Sequence, residues 1–124
     1  MEKQKEYNLE SRLIDFAVNV IDMSESLPKT RAGNHIAGQL LRCGTSPAPN
    51  YGEAESAESR SDFIHKMKVC LKELRETKIW LIILLRSKLQ KPEQQITSLL
   101  NENEQLILIF FSSVKTAQKR GIAH

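Results

Sequence analysis

The 124-residue chain predicts an all-α fold: an antiparallel up-down four-helix bundle whose second helix is kinked by prolines. Three observations predict it. Apolar residues recur three or four apart through four segments, no stretch alternates at period two, and Pro, Gly or capping residues stand between the segments. The length suits one domain over residues 1–124, with a core that needs neither metal nor disulfide. A 40% hydrophobic and 27% charged composition with only five Gly and four Pro excludes a mainly disordered or collagen-like chain.

Helix one, about 8–27, gathers Leu9, Leu13, Phe16, Ala17, Val20, Met23 and Leu27 on one face, and Pro28 ends it. Residues 29–33 read as a tight connection. Helix two, about 34–57, takes Asn34 as its cap and turns Ile36, Leu40 and Cys43 inward, with Ala37 and Leu41 beside them. Pro47 and Pro49 each lack the N–H that bonds four residues back, so a kink or short break is expected between Gly44 and Asn50. Helix three, about 61–88, is capped by Ser59 or Ser61, with Asp62 completing a capping box. Its seam of Phe63, Met67, Cys70, Leu74, Thr77, Leu81 and Leu84 keeps a heptad rhythm, which requires packing against other helices. Lys91-Pro92-Glu93 marks a turn, and Gln94 to Leu100 reads as a short helical segment. Asn101 and Glu104 form a second capping box for helix four, about 101–119, which points Ile107, Phe110, Val114 and Ala117 inward and stops at Gly121.

The net charge of +3 hides a local imbalance. Nine cations (Arg60, Lys66, Lys68, Lys72, Arg75, Lys78, Arg86, Lys88 and Lys91) lie in residues 60–91 with only Asp62, Glu73 and Glu76 against them. Lys68, Lys72, Arg75, Lys78 and Arg86 form a basic stripe suited to phosphate contact. Its counter-reading is a solvated helix face.

Ile79 and Ile83 point the same outward way, Trp80 and Ile82 flank the core seam, and Leu106 to Phe111 is apolar all round. A lone bundle cannot cover them all, so Ile79, Trp80, Ile82, Ile83, Leu106, Ile109 and Phe111 are the expected contacts of a homo-oligomer. Each large aliphatic group buried adds roughly 1.5–3 kcal/mol. Part of the basic stripe is then covered by the next subunit, and its cations pair across the interface.

Resemblance enters in the central third of the chain. The runs Arg42-Cys43-Gly44-Thr45-Ser46, Asn50-Tyr51-Gly52-Glu53-Ala54, Ser61-Asp62-Phe63-Ile64-His65-Lys66-Met67-Lys68, Lys72-Glu73-Leu74-Arg75-Glu76-Thr77 and Trp80-Leu81 closely resemble the four-helix bundle protein family, also called the 23S rRNA-intervening-sequence or S23 family. The resemblance implies a ring-like homopentamer with no known catalytic group and no established biochemical role. More distantly, the chain is similar to the accessory protein of diversity-generating retroelements, a basic pentamer that partners a reverse transcriptase and nucleic acid. Pro47, Pro49 and Leu74 depart from the usual family pattern.

The motif's polar residues are Asn50, Glu53, Lys66, Lys72, Glu73 and Glu76. They are expected to form a buried network at the kink, with Asn50 and Glu53 serving groups freed by the prolines; ligand recognition is the alternative. No metal site is expected, because His35, His65 and His124 lack ligand spacing, and Cys43 and Cys70 form no CxxC pair and read as buried free thiols. No cofactor is expected either, since Glu-x-x-His pairs, phosphate loops and nucleophile elbows are missing from the sequence. The polar start MEKQKEYNLE carries no secretory pattern, so residence in the cytoplasm is expected. The longest apolar runs are too short for a bilayer, which takes about 18 residues, so no membrane is expected among the partners.

These features predict a noncatalytic scaffold or adaptor that assists an RNA, DNA or reverse-transcriptase-like partner. Direct, largely sequence-independent RNA or DNA binding is the alternative, and an enzyme built around Glu53, Glu73 or Glu76 is the third reading.

Overall fold

A computed structural model describes residues 8–87, 89 and 93–123. The expected Lys91-Pro92 turn, Lys88, His124 and the first seven residues lie outside them. The described residues form helices and no strand: α1 (Leu9–Ser26), α2 (Arg31–Thr45), α3 (Pro47–Glu55), α4 (Arg60–Ser87) and α5 (Gln94–Ala123). Helices α2 and α3 together make the second arm of a four-arm bundle. Successive arms are neighbours, α1 also approaches α5, and α1 and α4 sit on the diagonal with no close backbone approach, as an up-down order requires.

The starts of α1, α2 and α4 each have a local cause. The Asn8 side chain accepts from Ser11 N at 2.8 Å, and Leu27 turns extended ahead of Pro28. Thr30, not Asn34, caps α2, its hydroxyl accepting from Gly33 N at 3.0 Å. The helix therefore begins three residues earlier than expected. Gly33 sits so close to the Pro28 carbonyl that an added Cβ would lie 2.0 Å from its oxygen. Ser59 accepts from Asp62 N at 3.0 Å, which forms one half of the expected capping box on α4.

In the second arm the regular helix is interrupted at Ser46 alone, whose φ of −70° and ψ of −38° are still helical. Pro47 then occupies the first position of α3, where its missing N–H has no intrahelical partner to lose.

The fourth arm corrects the expectation most. It is one helix from Gln94 to Ala123, with no break at Asn101 and no stop at Gly121. The reason the helix runs on through Asn101 is Asn103, a fully buried residue inside the seam Ile96, Leu99, Asn103, Leu106, Phe110. Its Nδ2 donates to the Leu74 carbonyl of α4 at 3.2 Å. A polar residue was thus filling a core position, and its polarity mimicked a loop.

The core joins Leu13, Phe16, Val20, Met23 and Leu27 of the first arm to Ile36 and Leu40, to the α4 seam from Met67 to Leu84, and to the α5 seam. Phe63 packs at its edge. Cys43 and Cys70 are buried free thiols, and burial pushes Cys70 up to about 12.

Candidate functional site

The motif residues do not form one buried network. Asn50 donates from Nδ2 to the Ser46 carbonyl at 3.0 Å and the Ser46 hydroxyl at 2.9 Å. It braces the helix junction, but it does not reach the Cys43 or Thr45 carbonyls that the prolines free. Glu53 pairs instead with Lys66 at 2.5 Å across α3 and α4, on a largely exposed edge. Glu53 holds the Lys66 ammonium above its ordinary value, first through their hydrogen bond.

Glu73 and Glu76 turn toward α2, where both meet Arg42, with Glu73 Oε1 3.4 Å from Arg42 Nη1. Gln39 accepts from the same guanidinium at 3.3 Å. Trp80 donates its indole N–H to Glu76 at 3.3 Å and meets His35 edge to face at 5.7 Å. A polar belt therefore ties α2 to α4. Sequence reasoning missed Arg42 and His35 because their partners on α4 lie more than thirty positions away and become neighbours only when the arms pack. Lys72 takes no part in the belt; it is exposed on α4. The three carboxylates of the enzyme reading, Glu53, Glu73 and Glu76, are all held by cations.

The basic stripe is divided by the fold. Lys78 leans to α5 and pairs with Glu104 at 2.6 Å. Lys68, Lys72, Arg75 and Arg86 stay exposed on α4, and no described carboxylate pairs with them. A shallow groove of about 350 Å³ brings Lys68, Lys72 and Arg75 beside Phe111 and Lys115 of α5. The Arg75 guanidinium and the Lys115 ammonium lie 5.9 Å and 5.7 Å from the Phe111 ring centre. Lys115, absent from the sequence-based set, belongs to this basic surface.

Of the expected interface residues, Ile79, Ile83 and Phe111 are exposed, and Trp80, Ile82 and Ile109 are half-buried. Leu106 is a correction: it is fully buried in its own chain, against the core. Its neighbour Leu108 takes the outward position and is 66% exposed. An unexpected second apolar line runs along α1, where Ile14, Val18 and Ile21 are exposed at spacings of four and three. That spacing was readable in the sequence on the face opposite the Leu13–Phe16–Val20 stripe.

Among the described residues no group of three or more His, Cys, Asp or Glu converges as metal ligands do, and no described helix is long and apolar enough to cross a membrane.

Fold and surfaces together define an all-α four-arm bundle with polar belts between arms and apolar faces left outside. Its middle arms carry the motif runs that hold those belts. The chain belongs to the 23S rRNA-intervening sequence protein family, whose model matches residues 5–111. It is similar to a crystal structure of a protein with unknown function from the S23 ribosomal protein family of Bacteroides thetaiotaomicron, at 32% identity and a TM-score of 0.81. That match covers 87% of this chain and 99% of the other. No curated protein matches the chain.

Proposed function

We propose that this protein is a single-domain, noncatalytic scaffold or adaptor of the cytoplasm that works as a ring-like homo-oligomer, with a bend in the second arm at Ser46. The observation that carries the reading is the set of eight large apolar side chains, Ile14, Val18, Ile21, Leu41, Ile79, Ile83, Leu108 and Phe111, each 38–66% exposed. Apolar groups gathered in this way on helix faces mark association surfaces. Family resemblance supports five subunits and a nucleic-acid or reverse-transcriptase-like partner. Light scattering tests the assembly: the native mass is expected to be a multiple of the 14.2 kDa chain, near five copies. A particle that stays at one copy at high concentration overturns the reading.

A second reading, direct RNA or DNA binding, is favoured by the groove in which Lys68, Lys72, Arg75 and Lys115 surround Phe111 without a carboxylate in the lining. It predicts retention of RNA at low salt that falls steeply as salt rises. An intact oligomer that ignores RNA and DNA at low ionic strength removes this reading and leaves the scaffold untouched.

A further inference from the structure

We propose that the groove between α4 and α5 binds single-stranded nucleic acid, with a base stacked on Phe111 and the phosphates on either side of it held by Lys68, Lys72, Arg75 and Lys115. The inference rests on the direct-binding reading above and names the form of nucleic acid and the residue that selects it.

The groove lies where residues 68–75 of α4 pass residues 111–118 of α5. Both of its rims are cationic. Lys68, Lys72 and Arg75 recur four and three apart on the α4 side, which sets them about one turn, roughly 5–6 Å, from one another along the helix axis. On the α5 side Lys115 is exposed, and Lys119, also exposed, continues its line one turn on. Glu73 and Glu76, which stand among the α4 cations in the sequence, are engaged by Arg42, and Glu104, two turns before Phe111, is engaged by Lys78. A polyanion therefore meets cations on both rims, with no carboxylate in the lining to repel it.

Between the rims the floor is apolar. Leu71 and Val114 are buried, and the Phe111 ring beside them is 44% exposed. Arg75 and Lys115, one from each helix, approach that ring to 5.9 and 5.7 Å from its centre. This sets Phe111 apart from the other exposed apolar side chains. Ile79 and Ile83 lie one and two turns beyond Arg75 and remain for contacts between copies.

The combination selects among polyanions. An exposed aromatic ring set among cations gives a base a flat apolar partner and gives its phosphates a charge on each side. In a duplex the bases stack on one another, and only the backbone and the groove edges reach a protein surface, so the ring gains nothing. An acidic peptide brings charge without a base, and an anionic bilayer brings phosphates without one. Gln118 is the single uncharged polar side chain of the lining, so stacking carries the contact and the identity of the base matters little.

The test is fluorescence anisotropy of the full chain at low salt, with labelled probes of one length, about 12 nucleotides. The probes are single-stranded RNA, single-stranded DNA, the same DNA as a duplex, and an abasic sugar-phosphate strand. The single strands are expected to bind about tenfold more tightly than the duplex or the abasic strand. Phe111→Leu, which keeps an apolar side chain and removes the flat ring, is expected to abolish that difference and to leave abasic binding unchanged. Lys72→Gln with Arg75→Gln is expected to weaken every probe and to flatten the salt dependence. Circular dichroism and light scattering check that each variant keeps the helix content and native mass of the wild type.

A preference between the RNA and DNA strands names the strand, and equal binding admits both; either supports the groove. Equal binding of single strands, duplex and abasic strand, with Phe111→Leu silent, overturns the stacking site while direct binding survives. A Phe111→Leu chain that loses native mass together with binding assigns the ring to assembly and overturns the site as well. Binding that ignores Lys72→Gln with Arg75→Gln places the contact outside the groove, with the same result. A chain that binds none of the probes, whether or not it binds vesicles of anionic lipid, overturns this inference and the direct-binding reading together and leaves the scaffold.

Discussion

Helix α4 has two long faces that differ in how their side chains are satisfied. Met67, Cys70, Leu74, Thr77, Leu81 and Leu84 are buried without exception, while Lys68, Lys72, Arg75, Ile79, Ile83 and Arg86 are exposed without exception. The inner face obtains all its partners from its own chain, including a bond from Thr77 Oγ1 to the Glu73 carbonyl at 2.8 Å. The outer face obtains none from the described carboxylates, and it mixes aliphatic groups with cations. One helix thus separates what folding uses from what remains for another molecule.

The widest gap between the faces is expected in chemistry. Cys70 lies on the inner face with its thiol pushed up to about 12 by burial, so at pH 8 it should react with a thiol reagent roughly a thousandfold more slowly than in the unfolded chain. An added Cys at Ile83 should react at the ordinary rate in dissociated protein. The same shift fixes a sign for stability. Between the unfolded value of 9.0 and about 12 the folded state retains a proton that the unfolded state has lost, so the contribution of Cys70 is intact below pH 9 and disappears as pH rises through that window. Rapid labelling of native Cys70, at the unfolded rate, would show that the inner face opens freely.

Next in size is Leu74→Ala, which should lower unfolding free energy by about 2–5 kcal/mol in a denaturant titration. The midpoint should fall by the same amount at every protein concentration. Gly44→Ala should cost about 1–3 kcal/mol, because the new Cβ would lie 2.7 Å from Val20 Cγ1 where α1 and α2 approach closely. Combining it with Val20→Ala should recover part of that loss, and strictly additive costs would argue against the close approach. Smallest is Ile83→Ser, expected to stay within about 0.5 kcal/mol for separated copies. Its effect should appear instead as a flatter dependence of the unfolding midpoint on protein concentration. A loss from Ile83→Ser as large as that from Leu74→Ala, at every concentration, would erase the distinction between the two faces.

The same division explains which parts of the site were legible. Ile79, Ile83 and Phe111 were placed outside correctly because a helical period fixes which residues oppose a strong inner seam. Leu106 was misplaced because the run Leu106 to Phe111 is apolar all round, so periodicity cannot say which side is inside. Lys78 was counted as an open cation because its partner Glu104 stands on another arm. Asn101 looked like a boundary because local preference is weak, and the buried seam through Asn103 overrides it.

By itself the sequence determined the helical class, the inner faces of the arms, the buried thiols and the excess of outward apolar groups. All of these follow from spacing along one chain. Only the tertiary structure decided that Arg42 gathers Glu73 and Glu76, that Lys115 and Phe111 join the α4 cations, and that Asn103 sits in the core. Charge and hydrogen-bond partners are set by distances between arms. A periodic pattern records which way a side chain points from its own helix axis, and nothing of what stands opposite.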